Sequence, residues 1–345
     1  MCAHPAHIPA ISVLMPCYHA ASTLEEALDS LHRQILRDFE IVAVDDGSTD
    51  DTLQLLQGRA KRDSRLRVIA QEHAGIIAAL NAGLAACYAP YIARMDTDDY
   101  SYPERLALQV AYLNTHPEIA VVGCLVEGFP SQDVRQGFSI YIQWLNSLTS
   151  DADIRREIFI ESPFAHPSVT FRRDWVDKVG GYQEQGWAED YDLWLRLHQG
   201  GARFAKIDQV LLGWREHPLR LTRTDGRYSL ENFIRAKACY LARGPLAEAD
   251  GVLIWGAGMI GRRLSKHLLG QQAAVTAFID IDPAKIGRTR RGLPILPPEA
   301  LPEWRQRYRN PVVLAAVGAR GARQLIRQRL NAFGLIEGED WWGVA

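Results

Sequence analysis

Three aspartates lie within four positions of the chain, Asp96, Asp98 and Asp99, directly after the predicted strand Tyr91–Met95. Carboxylates this close repel one another, and burial of the preceding strand would cost them hydration. A hard divalent cation such as Mg²⁺ or Mn²⁺ relieves that repulsion, and phosphate oxygens complete its coordination shell. The spacing therefore predicts a metal site for a diphosphate, although a polar turn before the next helix would use the same residues.

Two further acidic groups follow predicted elements. Asp45 stands at the end of the β-rich run Glu40–Val44, where it could accept hydrogen bonds from a base or ribose. Glu189 and Asp190 open a helical pattern. A carboxylate there could take a proton from a nucleophile, but a helix N-terminus also stabilises acidic side chains without any chemistry.

The elements that must position these groups alternate between strand and helix. Such β-α-β order predicts a parallel sheet with helices on both faces, which binds ligands beyond the carboxyl ends of its strands. A capping box at 22–25 is expected to start the first helix. The predicted strands are Ile11–Met15, Glu40–Val44, Leu66–Ala70 and Tyr91–Met95, and the predicted helices follow Ser22, Thr49 and Gly75.

A second strand-helix pattern begins after residue 246, so two domains are predicted, 1–245 and 246–345. Gly256, Gly258 and Gly261 form GxGxxG after the predicted strand Val252–Trp255, and Asp280 follows near the spacing of about 20 residues typical of a ribose-binding acid. The same glycines would also serve a tight turn and close packing. Nucleotide binding, NAD(P) included, and a structural or homo-oligomerising role therefore both remain open.

Composition excludes several classes of protein. The 345 residues carry 39 Lys+Arg against 41 Asp+Glu without a basic block, which argues against nucleic acid as a partner. No apolar run approaches the length of a transmembrane segment, and the N-terminus does not resemble a signal peptide. Five scattered cysteines predict neither a disulfide framework nor a zinc site. The expected location is cytoplasmic.

A series of motifs runs in one order through roughly the first two-thirds of the chain. It consists of VLMPCYHAASTLEEALDSL, VDDGSTDDT, GIIAALNAGL, YIARMDTDD, His166–Arg172, Gly180–Tyr182, Glu189–Arg196 and Trp214–His217. This series closely resembles the family 2 glycosyltransferases with a GT-A fold. The resemblance implies an α/β architecture, a mostly parallel mixed sheet flanked by helices. The smaller C-terminal part is similar to Rossmann-like modules attached to sugar-modifying enzymes.

The resemblance also implies roles for individual residues of the donor site. Pro16 and Tyr18 would line the base pocket, and Asp45 would contact the base or its ribose. Asp96 would face the ribose, and Asp98 would bind the metal that bridges the diphosphate.

Further roles concern the metal, the leaving group and the acceptor. Asp99 would assist at the metal, and His217 would reach the metal or the diphosphate. Arg215 would contact the leaving phosphate, and Asp190, beside Glu189, would be the general base.

Two other side chains have alternative interpretations. His166 precedes a strand-like run and could line the acceptor cleft or serve as a structural histidine. Trp187 could stack on a sugar ring or simply fill the core.

The sequence thus predicts an inverting glycosyltransferase of the hexosyltransferase type that depends on Mg²⁺ or Mn²⁺. Its donor would be a nucleoside-diphosphate sugar and its acceptor a saccharide or lipid-linked saccharide, in surface polysaccharide or glycolipid synthesis. A lipid-linked acceptor would need only peripheral membrane contact. The processive family members carry a Gln-x-x-Arg-Trp element, which this sequence lacks, so transfer of one sugar per encounter is expected. The alternatives are a bifunctional enzyme with an NAD-dependent C-terminal domain and a catalytically silent sugar-nucleotide-binding scaffold.

Overall fold

The computed structural model describes residues 7–218 and 220–345, which divide into two units. The first unit contains the described residues of 7–154, 163–185 and 189–224. The second contains 155–162, 186–188 and 225–345. Each unit has its own sheet and its own apolar core.

Eight strands of the described residues form the sheet of the first unit, in the order β3-β2-β1-β4-β7-β6-β8-β5. The four strands β3, β2, β1 and β4 run parallel, and β7 joins them to the other half by antiparallel pairs with β4 and β6. The strands are β1 Ile11–Cys17, β2 Phe39–Asp46, β3 Leu66–Gln71, β4 Tyr91–Arg94, β5 Tyr100–Ser101, β6 Ile119–Phe129, β7 Thr170–Arg172 and β8 Arg203–Arg215.

Helices connect these strands, and their apolar side chains pack onto a sheet whose strands β1, β2 and β4 are almost entirely buried. Strand β2, for example, is buried at every position, so both faces of the sheet must be covered. The helices are α1 Leu24–His32, α2 Thr52–Ala60, α3 Ile76–Ala86, α4 Arg105–Thr115, α5 Gln136–Asn146, α6 Asp151–Glu157, α7 Arg173–Lys178, α8 Glu189–Gln199 and α9 Leu221–Thr224.

The start of α1 differs from the predicted capping box. The helix begins at Leu24 after Thr23, whose side chain makes no capping hydrogen bond. The preceding turn is instead held by tertiary contacts, since the Ala20 N–H donates to the Thr52 hydroxyl at 2.8 Å. The Ala21 N–H likewise donates to Asp50 at 3.2 Å. Long-range bonds have replaced the local cap, so the two turns that follow β1 and β2 are fixed to each other.

The second unit has a six-stranded sheet within the described residues, in the order β11-β12-β10-β9-β13-β14. The five strands from β12 to β14 in this order are parallel, and the short edge strand β11 is antiparallel to β12. Its elements are α10 Leu230–Arg243, β9 Gly251–Trp255, α11 Met259–Gly270, β10 Val275–Ile279, β11 Thr289–Arg290, β12 Leu293–Leu296, α12 Leu301–Arg305, β13 Pro311–Ala315, α13 Ala322–Ala332 and β14 Trp341–Gly343.

Within the part of the chain that the structure describes, none of the helices is both long enough and apolar enough to pass through a bilayer.

Candidate functional site

The aspartates of the DxDD segment meet beyond the end of β4. Carboxylate oxygens of Asp96, Asp98 and Asp99 all lie within 4.8 Å of one another. Strand β4 ends at Arg94 and β5 begins at Tyr100, so the cluster occupies the short connection between two strands of the sheet. The predicted group therefore forms one constellation at the carboxyl edge of the parallel strands.

The segment after β8 closes onto this cluster. His217 Nε2 lies 2.9 Å from Asp98 Oδ2. The backbone N–H of Arg215 donates to Asp99 Oδ1 at 2.8 Å, and its Nε donates to the Asp98 carbonyl at 2.6 Å. The Arg215 guanidinium also pairs with Glu26. Arg215 thus shapes the loop that holds the aspartates, whereas the side chain of His217 contacts the carboxylate of Asp98 directly.

The three carboxylates do not share one electrostatic environment. Burial, together with the charges of Asp98 and Asp96, raises the pKa of Asp99 well above its ordinary value. Burial also raises the pKa of Asp96, against the attraction of Arg94. For Asp98 burial acts in the same direction, but the hydrogen bond with His217 prevails and lowers its pKa. The cluster therefore holds more negative charge than its surroundings easily stabilise.

The donor set suits a hard divalent cation. Asp99 Oδ2 is buried and has no hydrogen-bond partner among the described residues, which is costly unless something else binds it. Carboxylate oxygens with one imidazole nitrogen match the preferences of Mn²⁺, and the oxygens alone match those of Mg²⁺. Asp98, Asp99 and His217 are the residues that could hold such an ion.

Arg94 is a cation that the sequence interpretation missed, although it stands two positions before Asp96. Its side chain is 1% exposed and its Nη2 lies 2.6 Å from Asp96 Oδ1. Burial disfavours its charge, yet Asp96, Tyr182 and Glu189 raise the pKa of Arg94 above its ordinary value. Arg94 therefore couples the aspartate cluster to the start of α8. Only folding reveals this, because Glu189 is distant in the chain.

The start of α8 carries Glu189 and Asp190, as predicted from the sequence pattern. Glu189 is buried and lies 3.9 Å from His166 Nδ1, while His166 Nε2 lies 2.7 Å from the Tyr182 hydroxyl. Burial and the charge of Arg94 lower the pKa of His166 well below its ordinary value, which keeps the imidazole neutral. Asp190 is only half-buried, and one of its oxygens accepts the Tyr191 N–H at 2.7 Å. Asp190 is the more accessible carboxylate of the pair.

The ends of β1 and β2 form the other side of the site. Pro16 lies in β1, which pairs with β2 so that Cys17 is opposite Asp45. Asp45 is 1% exposed, and its Oδ1 has no hydrogen-bond partner in the described ranges. Tyr18 is exposed and stacks on His73, with 4.3 Å between ring centroids. The neighbouring Asp46, at the end of β2, instead accepts hydrogen bonds from backbone N–H groups just before α3.

His73 was not predicted as a site residue. It stacks on Tyr18, which extends the aromatic surface, and its Nδ1 lies 2.9 Å from Asp46 Oδ2. Its position just before the Gly75 helix was the available signal, but a lone histidine in a loop does not reveal its tertiary neighbour.

Trp187 belongs to the second unit and fills its core. It is 8% exposed and packs edge-on against Tyr240, with 6.4 Å between ring centroids. The Arg235 guanidinium lies 5.6 Å from the ring centroid. Of the two predicted alternatives, these contacts favour core packing over a stacking face for a sugar.

The predicted glycine motif lies between β9 and α11. Gly256 has φ +118°, a conformation that favours glycine, and Gly258 precedes the first residue of α11. Gly261 lies in the first turn of that helix. Asp280 follows β10 and accepts the Ala257 N–H at 3.0 Å, so the acidic residue and the glycine loop are brought together.

Residues 12–180 match the family model for glycosyl transferase family 2. The amylovoran biosynthesis glycosyltransferase AmsE of Erwinia amylovora is 36% identical over 204 residues, 58% of this chain and 74% of that protein. The putative glycosyltransferase EpsE of Bacillus subtilis is 32% identical over 246 residues, 70% of this chain and 85% of that protein. An Escherichia coli UDP-Gal:alpha-D-GlcNAc-diphosphoundecaprenol beta-1,3-galactosyltransferase is 29% identical over 210 residues, 60% of this chain and 74% of that protein.

Two solved structures share the fold. Residues 1–349 of S. aureus TarS in complex with UDP-GlcNAc superpose with a TM-score of 0.56 at 20% identity, over 76% of this chain and 72% of that one. The mannosyltransferase PcManGT from Pyrobaculum calidifontis in complex with GDP-Man and Mn²⁺ gives a TM-score of 0.51 at 19% identity, over 78% and 70% of the two chains. At these identities the likeness concerns the fold alone.

Proposed function

The chain belongs to glycosyltransferase family 2, and from that premise we propose that it transfers one sugar per encounter, with inversion, from a nucleoside-diphosphate sugar to a hydroxyl acceptor. As a glycosyltransferase it must stabilise a departing diphosphate and accept a proton from the acceptor. The observation that carries the proposal is the carboxylate cluster of Asp96, Asp98 and Asp99, joined to His217 at the carboxyl edge of the sheet.

A divalent metal is proposed at this cluster. Asp98, Asp99 and His217 would hold it, and the unpartnered Asp99 oxygen supports that assignment. When bound, Mg²⁺ or Mn²⁺ would supply Lewis-acid stabilisation of charge on the leaving diphosphate. The PcManGT complex contains Mn²⁺, which is a further reason to choose this ion for the first assays.

Residues at the ends of β1 and β2 are proposed to bind the nucleotide. The exposed ring of Tyr18, extended by His73, offers a stacking surface for a base beside Pro16. The unpartnered oxygen of Asp45 is an acceptor for a base N–H or a ribose hydroxyl. Such a hydrogen bond would remove the free-energy cost of burying this oxygen without a partner. Asp96 is proposed to face the ribose.

Asp190 is proposed as the general base. It is accessible enough to meet an acceptor hydroxyl, whereas Glu189 is buried next to His166. The Asp190 carboxylate would accept the hydroxyl proton as the oxygen attacks the anomeric carbon. A single displacement with one base inverts the configuration at that carbon. Glu189 and the neutral imidazole of His166 are proposed to orient the acceptor side through Arg94.

The acceptor is proposed to be a saccharide or lipid-linked saccharide of a surface polysaccharide. Two relatives support this class, one by amylovoran biosynthesis and one by a diphosphoundecaprenol acceptor. Peripheral membrane contact stays a prediction. It has a candidate surface in the basic side chains that line one shallow cavity, Arg262, Arg263, Lys266 and Arg291, because such groups attract anionic headgroups.

The second unit is proposed to be a Rossmann-like domain. Its parallel strands alternate with helices, and its glycine loop precedes α11 in the way the dinucleotide fingerprint requires. The boundary at 245/246 and homo-oligomer formation through this domain stay predictions. Limited proteolysis and sedimentation equilibrium test them.

The function is tested with UDP-, GDP- and dTDP-sugars, with and without Mn²⁺, and saccharide acceptors. We expect one donor class to give a product whose anomeric configuration, measured by NMR, is opposite to that of the donor. EDTA should abolish the reaction and Mn²⁺ should restore it. Retained configuration, or full activity in EDTA, would show the proposed mechanism to be wrong.

A further inference from the structure

The carboxyl edge of the second sheet carries a cavity of about 850 Å³, within the size range of small-molecule sites. The chain proceeds from β9 to β10 on one side and returns to β13 on the other, so the strand order reverses between β9 and β13. Open α/β sheets bind ligands at such a switch point. The cavity is lined there by residues that follow these strands, among them Gly256, Asp280 and Val317.

Two glycines of the loop are required by packing, but the third is not. A Cβ on Gly256 would lie 2.7 Å from Val317 Cγ2, and one on Gly261 would lie 1.9 Å from the Gly256 carbonyl oxygen. A Cβ on Gly258 would meet nothing within 4 Å, and its φ of −76° suits any residue. Gly258 also lines the cavity. Packing therefore does not require a glycine at this position. The absence of a side chain instead leaves the Gly258 backbone accessible to a ligand in the cavity.

A partly exposed ammonium, that of Lys285, stands at this end of the cavity beside two carboxylates, Asp280 and Asp282. Asp280 is covered by its own partners, since it accepts the N–H groups of Ala257 and Asp282 at 3.0 Å each. Lys285 Nζ lies 3.1 Å from Asp280 Oδ2 and 3.4 Å from Asp282 Oδ2, and the lysine side chain is 35% exposed. The cavity thus presents an ammonium and the N-terminus of the 12-residue α11, which favour an anion. A bare ribose diol would have to displace Lys285 to reach Asp280.

Three apolar side chains of the cavity lining, which form its apolar wall, are exposed. Met259, Ile281 and Leu325 line the cavity and are 49%, 76% and 68% exposed. Single exposed apolar side chains are ordinary, but three around one cavity indicate an apolar or aromatic group that covers them.

We propose that this cavity binds a nucleoside diphosphate, free or linked to a sugar. Its phosphates would lie over Gly258 and the α11 N-terminus beside Lys285, with the base against the apolar wall. Among the described residues, β13, α13 and β14 lie beyond the switch point, which is less than the second of the two βαβαβ halves that a dinucleotide site uses. The choice of a nucleoside diphosphate among phosphorylated ring compounds rests on the proposed transferase function, which consumes or releases one at every turnover.

Equilibrium dialysis of the full chain with UDP, GDP and dTDP, and with NAD⁺ for comparison, in Mn²⁺ counts the sites. Asp98→Asn weakens the proposed donor site, so nucleotide retained by this variant reports the second unit. In that background we expect Gly258→Glu to weaken binding at least about tenfold, because its carboxylate enters the cavity and repels phosphate. Gly270→Glu is the matched control, since Gly270 ends the same helix and a Cβ there also meets open space.

Lys285→Gln gives an independent arm, with an expected loss of about fivefold in affinity. Circular dichroism checks that each variant is folded. The proposal is overturned if the Asp98→Asn chain binds none of the three nucleotides, if Gly258→Glu and Gly270→Glu bind alike, or if only NAD⁺ binds. If the Asp98→Asn chain still binds nucleotide but the wild-type chain transfers no sugar, the proposed function is contradicted and the proposed second site is not.

Discussion

His217 Nε2 lies 2.9 Å from Asp98 Oδ2, although 119 positions separate the two residues. This contact joins the end of β8 to the loop after β4 and lowers the pKa of Asp98 while that of Asp99 is raised. One carboxylate is thereby kept ionised in a crowded acidic cluster.

Asp98→Asn should abolish sugar transfer, by about 10³-fold or more, because the metal loses a charged ligand. Mn²⁺-dependent donor binding, measured by calorimetry, should be lost as well. The control is Asp208→Asn, an exposed carboxylate on the same β8 strand that leads to His217. Equal metal-dependent donor binding by the two variants would refute the assignment.

His217→Ala should weaken Mn²⁺ affinity by about 10- to 100-fold, the usual effect of removing a group that ligates or orients a metal ligand. The concentration of Mn²⁺ that gives half-maximal transfer measures this. Excess Mn²⁺ should restore much of the rate if the histidine acts through the metal. A rate that excess metal leaves low would indicate a role in the chemical step instead.

Asp190→Asn should reduce kcat by about 10²- to 10⁴-fold and leave donor affinity nearly unchanged, because only proton transfer is removed. Glu184→Gln, an exposed acidic residue just before α8, provides the control. Steady-state kinetics with saturating donor separate the two effects. Full activity of Asp190→Asn would mean that another group is the base.

Arg94→Met should destabilise the first unit by about 3 kcal/mol, because Asp96 and Glu189 lose their buried cation. Urea unfolding followed by tryptophan fluorescence measures the loss. Arg94→Lys should recover part of the stability, since it keeps the charge but not the planar geometry. Wild-type stability of Arg94→Met would show that the pair contributes nothing net.

Lys206 predicts a distinct dependence of stability on pH. Burial lowers its pKa to about 7, and its ammonium donates to the Leu145 carbonyl. Since the unfolded chain binds this proton up to a pH of about 10, the free energy of unfolding should rise between pH 7 and pH 10. The slope contributed by Lys206 is at most about 1.4 kcal/mol per pH unit.

Lys206→Met should lack this rise, so the difference between the two proteins should change with pH above 7. Urea titrations at four pH values between 7 and 10 measure it. Below pH 7 the lysine is protonated in both states, and the two curves should run parallel. Parallel curves over the whole range would contradict the shifted pKa.

Local patterns in the sequence determined much of the parallel half of the first sheet. Strands β1 to β4 coincide with largely apolar runs that are bounded by polar turns. Buried parallel strands are expected to show this pattern. The cluster of Asp96, Asp98 and Asp99 could also be predicted, because residues this close in the sequence stay close in space in any fold. The capping box was predicted wrongly, since the hydrogen bond from Ala20 to Thr52 outweighed the local motif.

Apart from His217, which the family resemblance had already assigned to the metal or the diphosphate, tertiary structure decided which distant side chains complete the site. Nothing near Asp98 in the chain indicates its bond to His217, and nothing near Arg94 indicates its coupling to Glu189. The physical reason is that an unpaired charge is costly to bury, so each buried charge lies beside a partner. The order of the strands determines which residues are close enough to be that partner. The sequence by itself determined the chemical groups and the strand ends that carry them; packing determined their partners and their charge.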